Sequence, residues 1–354
     1  MTTLLKSKPQ ASFFGMIDQV RIDRIWTPFW INHPEGTRAL EHLAWLLMQP
    51  RSYRPQNCLI IADAAAGKTS IAKQFEKSVN PVHQKGETKR RIPVVYVQAP
   101  PDGKSDALYT AILESIGAAY KSTWRALRKQ QLVFELFDKL HTRMLIIDEA
   151  HHMLAGNVGE RSVFMNVLKH LGSTLQIPIV CLGTKELLRA MHTDEQFASR
   201  FEPFRIEKWE ADENYVRFLV QICRHAKFKY TSTLKKREFV RRIHALSKGL
   251  TGETWKLMSR LIEYAETEGV GTLNIDMLDK IKWVTPGERR WVASRDKNRE
   301  TANGSITQGD AGDLAGGEPK KDRNTQRKSQ AQPGKQNHQR PAQSDQPARQ
   351  SVVL

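Results

Sequence analysis

The chain of 354 residues is long enough for two modest domains plus extra segments, and its hydrophobic content of 40% supports real cores. Its formal net charge is +17. Residues 301–354 contribute only +3 of it, with eight Lys and Arg against five Asp and Glu, so residues 1–300 carry +14. This basic folded part favours a polyanionic partner, nucleic acid first, and no run approaches the roughly 18 apolar residues of a membrane span.

Residues 1–20 are predicted to form a flexible arm that lacks the apolar stretch of a signal peptide, so we expect a cytoplasmic or DNA-associated protein. Three widely spaced cysteines are interpreted as core residues of a reducing compartment: Cys58, Cys181 and Cys223. The aromatic residues Trp26, Phe29 and Trp30 either stack on an adenine or pack on a core, and packing is the expectation. A helix with an apolar repeat from Ala39 to Leu47 follows.

The stretch from Ala62 to Thr69 has the form of a Walker A phosphate-binding loop, because an apolar run precedes it and a segment with helical spacing, from Ser70 to Phe75, follows it. Lys68 would reach the β- and γ-phosphates of ATP, and the Thr69 hydroxyl would hold Mg²⁺. Ala62 stands where the first glycine is expected, so the loop must turn there with a Cβ present. The residues predicted to bind the nucleotide are Ala62, Asp63, Ala65, Ala66, Gly67, Lys68, Thr69, Ser70 and Thr184.

The segment Arg143–Glu149 is an apolar strand that ends in two carboxylates, the form of a Walker B element. Asp148 would position Mg²⁺ through its water shell, and Glu149 would polarise the attacking water as a catalytic residue. A buried strand followed by an acidic helix cap is the alternative. The next residues complete a DEAH-like tetrapeptide, but the chain has no room for a second helicase lobe. His151 and His152 are interpreted as solvent-edge or loop residues, because adjacent histidines project in different directions and no Cys or carboxylate cluster completes a metal site.

Strands and helices alternate from Cys58 to about Glu207, which predicts an α/β fold with a parallel five-stranded sheet buried on both faces. The predicted strands are Leu59–Ala62, Val94–Gln98, Met144–Asp148, Ile177–Gly183 and Phe204–Glu207. The predicted helices of this part lie near residues 68–78, 104–118, 128–140, 160–174 and 185–191. Ligands of such sheets bind at the carboxyl ends of the strands, where Lys68, Asp148 and Thr184 should converge.

Two further positions match parts of AAA+ ATPases. Thr184, after the fourth strand, is either a sensor of the γ-phosphate or a plain helix cap. Arg200 is the candidate catalytic arginine that reaches the nucleotide of a neighbouring subunit, with Arg205 as second candidate and a surface ion pair as the alternative. A second sensor arginine is missing, and Lys256 is a weak substitute for it.

From Asp212 onwards the pattern is helical only, with a last helix predicted over Ile275–Trp283. We therefore predict an α/β nucleotide-binding core over residues 21–209 and a small helical lid over 210–290. Residues 291–354 are predicted to be a disordered basic tail, because the last 54 residues contain no Phe, Trp or Tyr and too few aliphatic residues to offset chain entropy.

Taken together, these motifs resemble the TniB/TnsC-type AAA+ ATPases that regulate transposition, and the resemblance spans about residues 21–290. Its parts are Trp30–Pro34, Pro50–Pro55, Gly67–Thr69 with Phe75, Leu145–His151, Leu182–Glu186, Phe197–Phe201, Trp209 and Trp283–Pro286. The resemblance implies an Mg²⁺-dependent ATPase that assembles as a homo-oligomeric ring or helical filament on double-stranded DNA. It would connect a TniQ-like target-selection protein to transposase subunits, and hydrolysis would control its disassembly.

The same resemblance implies DNA contacts from basic and hydroxyl residues on the pore side of the core, to phosphates and with little sequence preference. The matching positions are Lys104, Lys121, Thr123, Arg125, Arg128 and Lys129. A solvated basic helix face is the alternative for these residues. Another AAA+ DNA machine, such as a helicase loader or replication initiator, is the alternative for the whole chain, and a scaffold that senses nucleotide without hydrolysis is the third.

Overall fold

Five short segments form one parallel sheet in the computed structural model, which describes residues 19–81, 90–101, 104–154, 158–229 and 232–289. The strands are β1 (Asn57–Ile61), β2 (Val94–Gln98), β3 (Met144–Asp148), β4 (Ile179–Gly183) and β5 (Phe201–Arg205), in the order β2-β3-β4-β1-β5. β1, β3 and β4 are buried along their whole length, as their apolar sequences require. The predicted five-stranded parallel sheet is confirmed.

The fifth strand begins three residues earlier than predicted. Pro203 lies inside β5, opposite Leu59 of β1. Proline is tolerated there because β5 is at the edge of the sheet, and an edge strand has a side on which no ladder hydrogen bond is needed. The strand therefore begins at Phe201, directly after Arg200.

Helices cover both faces of the sheet, because successive strand residues point to opposite sides. One face packs on α2 (Pro34–Met48) and α3 (Lys68–Val79). The other face packs on five helices: α4 (Ser105–Ser115), α5 (Ala126–Lys139), α6 (Val158–Leu175), α7 (Lys185–Met191) and α8 (Glu195–Ala198). The sequence analysis did not predict α8, which is a single turn. The result is a three-layer arrangement with the sheet in the middle.

A second hydrophobic core lies in the helices that follow the sheet. These are α9 (Glu213–His225), α10 (Arg237–Ser247), α11 (Thr251–Thr267) and α12 (Met277–Lys280). The last helix is shorter than predicted, since it covers four residues of the Ile275–Trp283 segment. The backbone leaves the helical conformation soon afterwards, with φ of 46° at Lys282.

An additional helix, α1 (Gln19–Trp26), packs on this helical bundle and not on the sheet. The Ser259 hydroxyl of α11 donates to the Ile25 carbonyl at 3.2 Å, and the Trp26 indole packs edge-on against Trp255 with ring centroids 5.7 Å apart. Trp26 therefore packs, as expected, although the predicted domain boundaries group it with the α/β core. The predicted tail and nearly all of the predicted arm lie outside the described residues. Among the helices that the structure describes, none has the length and apolar character needed to cross a bilayer.

Candidate nucleotide site

The register of the sheet brings three predicted elements to one edge. Ile61 of β1 lies opposite Gly183 of β4, and Ile147 of β3 lies opposite Cys181 of β4. The loop after β1, the carboxylate that ends β3 and the threonine after β4 are therefore neighbours. This is the edge at which ligands of open parallel sheets bind.

The loop between β1 and α3 turns without a glycine at its start. Ala62 has no positive φ, and its N–H donates to the Gly183 carbonyl at 3.2 Å. The left-handed residues are Ala65, with φ of 62°, and Gly67, with φ of 97°. The departure at Ala62 consequently carries no backbone strain, whereas Ala65 stores about 1 kcal/mol in a conformation that favours glycine.

Lys68 is buried at the start of α3, and its ammonium group closes the loop from inside. Nζ donates to the carbonyls of Ala62 and Asp63 at 3.2 and 3.1 Å. Burial lowers the pKa of Lys68, and the carboxylates of Glu149, Asp148 and Asp63 oppose that shift. A phosphate group in the loop would supply the compensating anion that such a buried cation favours.

Asp148 is 1% exposed, and both of its oxygens are hydrogen-bonded. Oδ2 accepts from the Thr69 hydroxyl at 2.6 Å and the Tyr96 hydroxyl at 2.8 Å, and Oδ1 accepts from the Glu149 N–H at 2.8 Å. The Thr69 and Asp148 oxygens are adjacent hard donors of the kind that Mg²⁺ prefers, so the two residues fit the predicted metal site.

Tyr96 was missed by the sequence analysis. It lies at the centre of β2, and burial followed by the Asp148 charge raises its pKa, so the phenol acts as a neutral donor. The available signal was a side chain with a polar tip in an otherwise apolar, buried strand, because a buried phenol usually needs a hydrogen-bond partner.

Glu149 turns away from Asp148 towards two histidines. Its φ is 52°, its carbonyl accepts from the His152 N–H at 2.9 Å, and its Oε2 lies 3.2 Å from His151 Nδ1. The sequence offered no Cys or carboxylate cluster beside these histidines, but the structure brings one carboxylate, that of the Walker B glutamate, next to them. Sequence reasoning assigned Glu149 to a single role and did not consider the tight turn that folds it back onto residues 151 and 152.

A cleft of about 350 Å³ opens above the loop, which is a volume suited to a small ligand. Phe29 and Trp30 line one side of it, α9 contributes Phe218, and α11 contributes Trp255 and Lys256. Lys256, the weak substitute for the second sensor arginine, thus lines the cleft. The cleft combines apolar walls with the polar floor formed by the phosphate-binding loop.

The first turn of α11 is hydrogen-bonded directly to this loop. The Gly252 N–H donates to the Ala65 carbonyl at 2.8 Å, and the Thr251 hydroxyl lies 3.3 Å from the Ala66 carbonyl. The Trp209 indole donates to the Thr251 oxygen at 3.0 Å and so connects the end of the α/β core to the same turn.

The remaining catalytic candidates occupy different edges of the sheet. The Thr184 hydroxyl makes no capping bond to α7, and its hydrogen bond to Glu186 lowers the pKa of that carboxyl group. The Arg200 carbonyl accepts from the Asn57 N–H at the amino end of β1, opposite the phosphate-binding loop. Arg205 lies opposite Ile61, at the loop edge. Arg200 Nε is buried and has no hydrogen-bond partner among the residues that the structure describes.

Five residues predicted to contact DNA are exposed around two adjacent helix N-termini. Lys129 in the first turn of α5 bonds to Asp106 in the first turn of α4 at 2.8 Å, which holds these ends together. Lys129 itself is 3% exposed, so it does not belong to this surface. The exposed set, called here the basic surface, consists of Lys104, Lys121, Thr123, Arg125 and Arg128.

The sheet order, the loop after β1 and the paired carboxylates that end β3 define an AAA+ P-loop ATPase fold. Aeropyrum pernix ORC2 in ADPNP and ADP complexes has this fold, with a TM-score of 0.54, 16% identity and 75% of this chain matched to 71% of that one. A. pernix ORC1 in complex with DNA has a TM-score of 0.52 and 16% identity, with 74% of this chain matched to 68% of that one. The Walker-type ATPase of Pyrococcus abyssi has a TM-score of 0.52 and 13% identity, with 77% of each chain matched.

No curated protein sequence matches the chain. Residues 21–211 match the family described as bacterial TniB protein. The chain belongs to the TniB family, as the sequence motifs suggested.

Proposed function

We propose that the protein binds ATP with Mg²⁺ in the cleft and hydrolyses it. The observation that carries this proposal is the 2.6 Å contact between the Thr69 hydroxyl and the Asp148 carboxylate, directly beside the buried Lys68. Three chemically different groups, a hydroxyl, a carboxylate and an ammonium, meet below a cleft of suitable size. This combination serves phosphoryl transfer, which depends on positioning and on neutralising charge.

Each residue has a separate task in the proposed reaction. Lys68 leaves the loop carbonyls to contact the terminal phosphates, and backbone N–H groups at the start of α3 bind their oxygens. Thr69 and Asp148 would hold Mg²⁺, which when bound neutralises phosphate charge. Glu149 orients the attacking water and accepts its proton, for which its carboxylate must leave His151. The adenine base of ATP would lie between Trp255 on one side and Phe29 or Trp30 on the other.

The location of Arg200 supports a homo-oligomer. It lies at the amino end of β5, whereas the phosphate-binding loop follows the carboxyl end of β1. Five residues of strand separate the two edges by about 16 Å. We therefore infer that Arg200 serves the nucleotide of another copy, in a ring or a helical filament, because this distance separates it from the loop of its own chain.

Double-stranded DNA is the proposed polyanionic partner of the basic surface. Lys104 and Arg125 precede the N-termini of α4 and α5, and neither side chain caps its helix. Exposed cations and two helix N-termini therefore add positive potential at one place. Contacts of this kind go to phosphates and give salt-sensitive binding with little sequence preference.

Membership of the TniB family supports a role in transposition, in which the DNA-bound oligomer connects a TniQ-like target-selection protein to transposase subunits. ATP hydrolysis would then govern disassembly. A helicase loader or replication initiator is the second candidate. It predicts a functional partner in replication and no effect of the protein on transposition in a reconstituted reaction.

The test combines phosphate release with electron microscopy. We expect release to depend on Mg²⁺ and to rise with duplex DNA, and we expect ordered assemblies on duplex DNA with a slowly hydrolysed ATP analogue. Lys68→Ala is the control, since it removes the buried ammonium. A wild-type protein that retains no ATP, or that stays monomeric with both ligands present, contradicts the proposal.

A further inference from the structure

We propose that Glu149, His151 and His152 form a binding site for a transition-metal cation of the Zn²⁺ class, and that its occupation reversibly blocks ATP hydrolysis. One ligand atom from each residue lies within 4.8 Å of the other two. These residues are called the Glu–His–His triad below. The inhibitory part of this inference rests on the proposed role of Glu149, whereas the metal site does not.

The contact between Glu149 and His151 has the spacing of two ligands on one ion. Oε2 and Nδ1 are 3.2 Å apart, yet this nitrogen is shielded from solvent and makes no hydrogen bond of acceptable geometry. Zinc binds histidine nitrogen and carboxylate oxygen at about 2.0–2.2 Å, and tetrahedral ligands at that distance are about 3.3 Å apart. The two atoms therefore have the separation expected for two ligands of one tetrahedral ion, and no hydrogen bond joins them.

The backbone holds the third ligand close. The positive φ of Glu149 and the hydrogen bond from the His152 N–H to the Glu149 carbonyl close a tight turn over these residues. The rings of His151 and His152 consequently lie with centroids 4.5 Å apart and tilted by 56°. Binding of an ion would require the His152 ring to rotate so that one of its nitrogens, now within 4.8 Å of the other two ligand atoms, comes closer.

The donor set selects the class of ion. Two imidazoles and one carboxylate suit Zn²⁺ and its neighbours in the first transition row, whereas Mg²⁺ prefers oxygen donors and is served by Thr69 and Asp148. The free cysteines of the described residues, Cys58, Cys181 and Cys223, are all buried and do not compete. The two cation sites are therefore adjacent but chemically distinct.

The functional consequence follows from the double use of Glu149. A carboxylate bound to Zn²⁺ cannot orient the attacking water or accept its proton. Nucleotide binding would persist, because Lys68 and the loop make no contribution to the triad. A Zn²⁺-loaded protein would therefore hold ATP without turnover.

The binding test uses tag-free, full-length, nucleotide-free protein titrated with Co²⁺, whose visible absorption reports tetrahedral coordination, followed by displacement with Zn²⁺. We expect one site, with affinity lowered about 10-fold or more by His151→Gln, His152→Gln or Glu149→Gln. His192→Gln, an exposed histidine elsewhere, and Thr69→Ala, in the oxygen pair, should bind as wild type. Variants of the triad that bind like wild type overturn the site. A circular dichroism spectrum equal to that of the wild type shows that each variant is folded.

The activity test adds buffered micromolar Zn²⁺ to phosphate-release reactions in excess Mg²⁺. We expect wild-type release to fall several-fold and to recover with a zinc-selective chelator, while the double variant His151→Gln/His152→Gln is unaffected. Equal sensitivity of both proteins overturns the inhibitory role. A protein without ATPase activity would refute the proposed function but leave the Co²⁺ spectrum to decide the metal site.

Discussion

At the scale of single residues, the site separates the two carboxylates proposed for metal binding and for water activation, although they are adjacent in sequence. Asp148 is 1% exposed and both of its carboxylate oxygens are hydrogen-bonded, whereas Glu149 lines the cleft and its carboxylate lies 3.2 Å from His151 Nδ1. The first geometry suits a fixed ligand. The second suits a group that has to move during the reaction.

Replacing Glu149 by Gln should therefore preserve ATP and DNA binding while lowering ATP turnover by about 10²–10⁴-fold, because the amide cannot accept a proton. Assemblies on DNA should persist, which electron microscopy and filter binding would measure. Glu135→Gln, an exposed carboxylate on α5, is the matched control and should turn over normally. Rapid hydrolysis by the Glu149 variant would remove it from the mechanism.

The Tyr96 hydroxyl should stabilise the fold through the buried Asp148 charge. Tyr96→Phe deletes one hydrogen bond to a carboxylate, and we expect the free energy of unfolding to fall by about 1–3 kcal/mol in urea titrations without nucleotide. Tyr120→Phe is the comparison, since that phenol bonds to Glu114 at the surface and should matter less. Equal losses for both variants would mean that burial adds nothing to the bond between Tyr96 and Asp148, and no loss for Tyr96→Phe would mean that this bond does not stabilise the fold.

At the scale of secondary-structure elements, the sheet was predictable because burial on both faces imposes continuous apolar strands. β2 and β3 have the predicted bounds, and α7 coincides with its prediction. The predicted start of β5 was three residues too late. A proline opposes strand structure locally, and Pro203 is tolerated because β5 lies at the edge of the sheet. Local patterns also overestimated α12, where apolar residues such as Trp283 pack on the bundle from non-helical backbone.

The site was predictable where motifs are contiguous and not where contacts cross the sheet. The loop with Lys68 and Thr69 follows from its sequence. Tyr96 depends on the pairing of β2 with β3, and the Glu–His–His triad depends on one positive φ angle. Neither the register nor the angle is encoded in a short pattern. Burial of Lys129 likewise follows from the packing of α4 on α5.

The N-termini of α4 and α5 should form one DNA contact surface. The double variant Lys104→Ala/Arg125→Ala should weaken binding to duplexes of any sequence, and each lost phosphate contact should reduce the slope of log affinity against log salt by about 0.9. Neither side chain caps its helix, so the fold should be unaffected. Fluorescence anisotropy at several salt concentrations measures both quantities.

Lys139→Ala provides the control for this surface, because Lys139 is exposed at the opposite end of α5. Its affinity and salt slope should equal those of the wild type. A similar loss for both proteins would indicate that net charge, and not this surface, attracts DNA.

At the scale of the whole molecule, Arg200 and the phosphate-binding loop lie on opposite edges of one sheet. Arg200→Ala should abolish DNA-stimulated turnover while ATP binding by the isolated chain stays intact, which phosphate release and equilibrium nucleotide binding would measure. Mixing it with Lys68→Ala should restore some activity, because certain interfaces then combine an intact loop with an intact arginine. Unaltered turnover by Arg200→Ala, with loss in Arg205→Ala, would transfer the role to Arg205.

The hydrogen bonds from Thr251 and Gly252 to the carbonyls of the phosphate-binding loop have a thermodynamic consequence. A ligand that repositions this loop must also shift α11 and the bundle attached to it. By thermodynamic linkage this effect is reciprocal. A protein that binds the bundle and displaces α11 changes the affinity for nucleotide by some factor, and nucleotide changes the affinity for that protein by the same factor. Binding of another protein to the helical bundle would thus be coupled to nucleotide binding in the cleft.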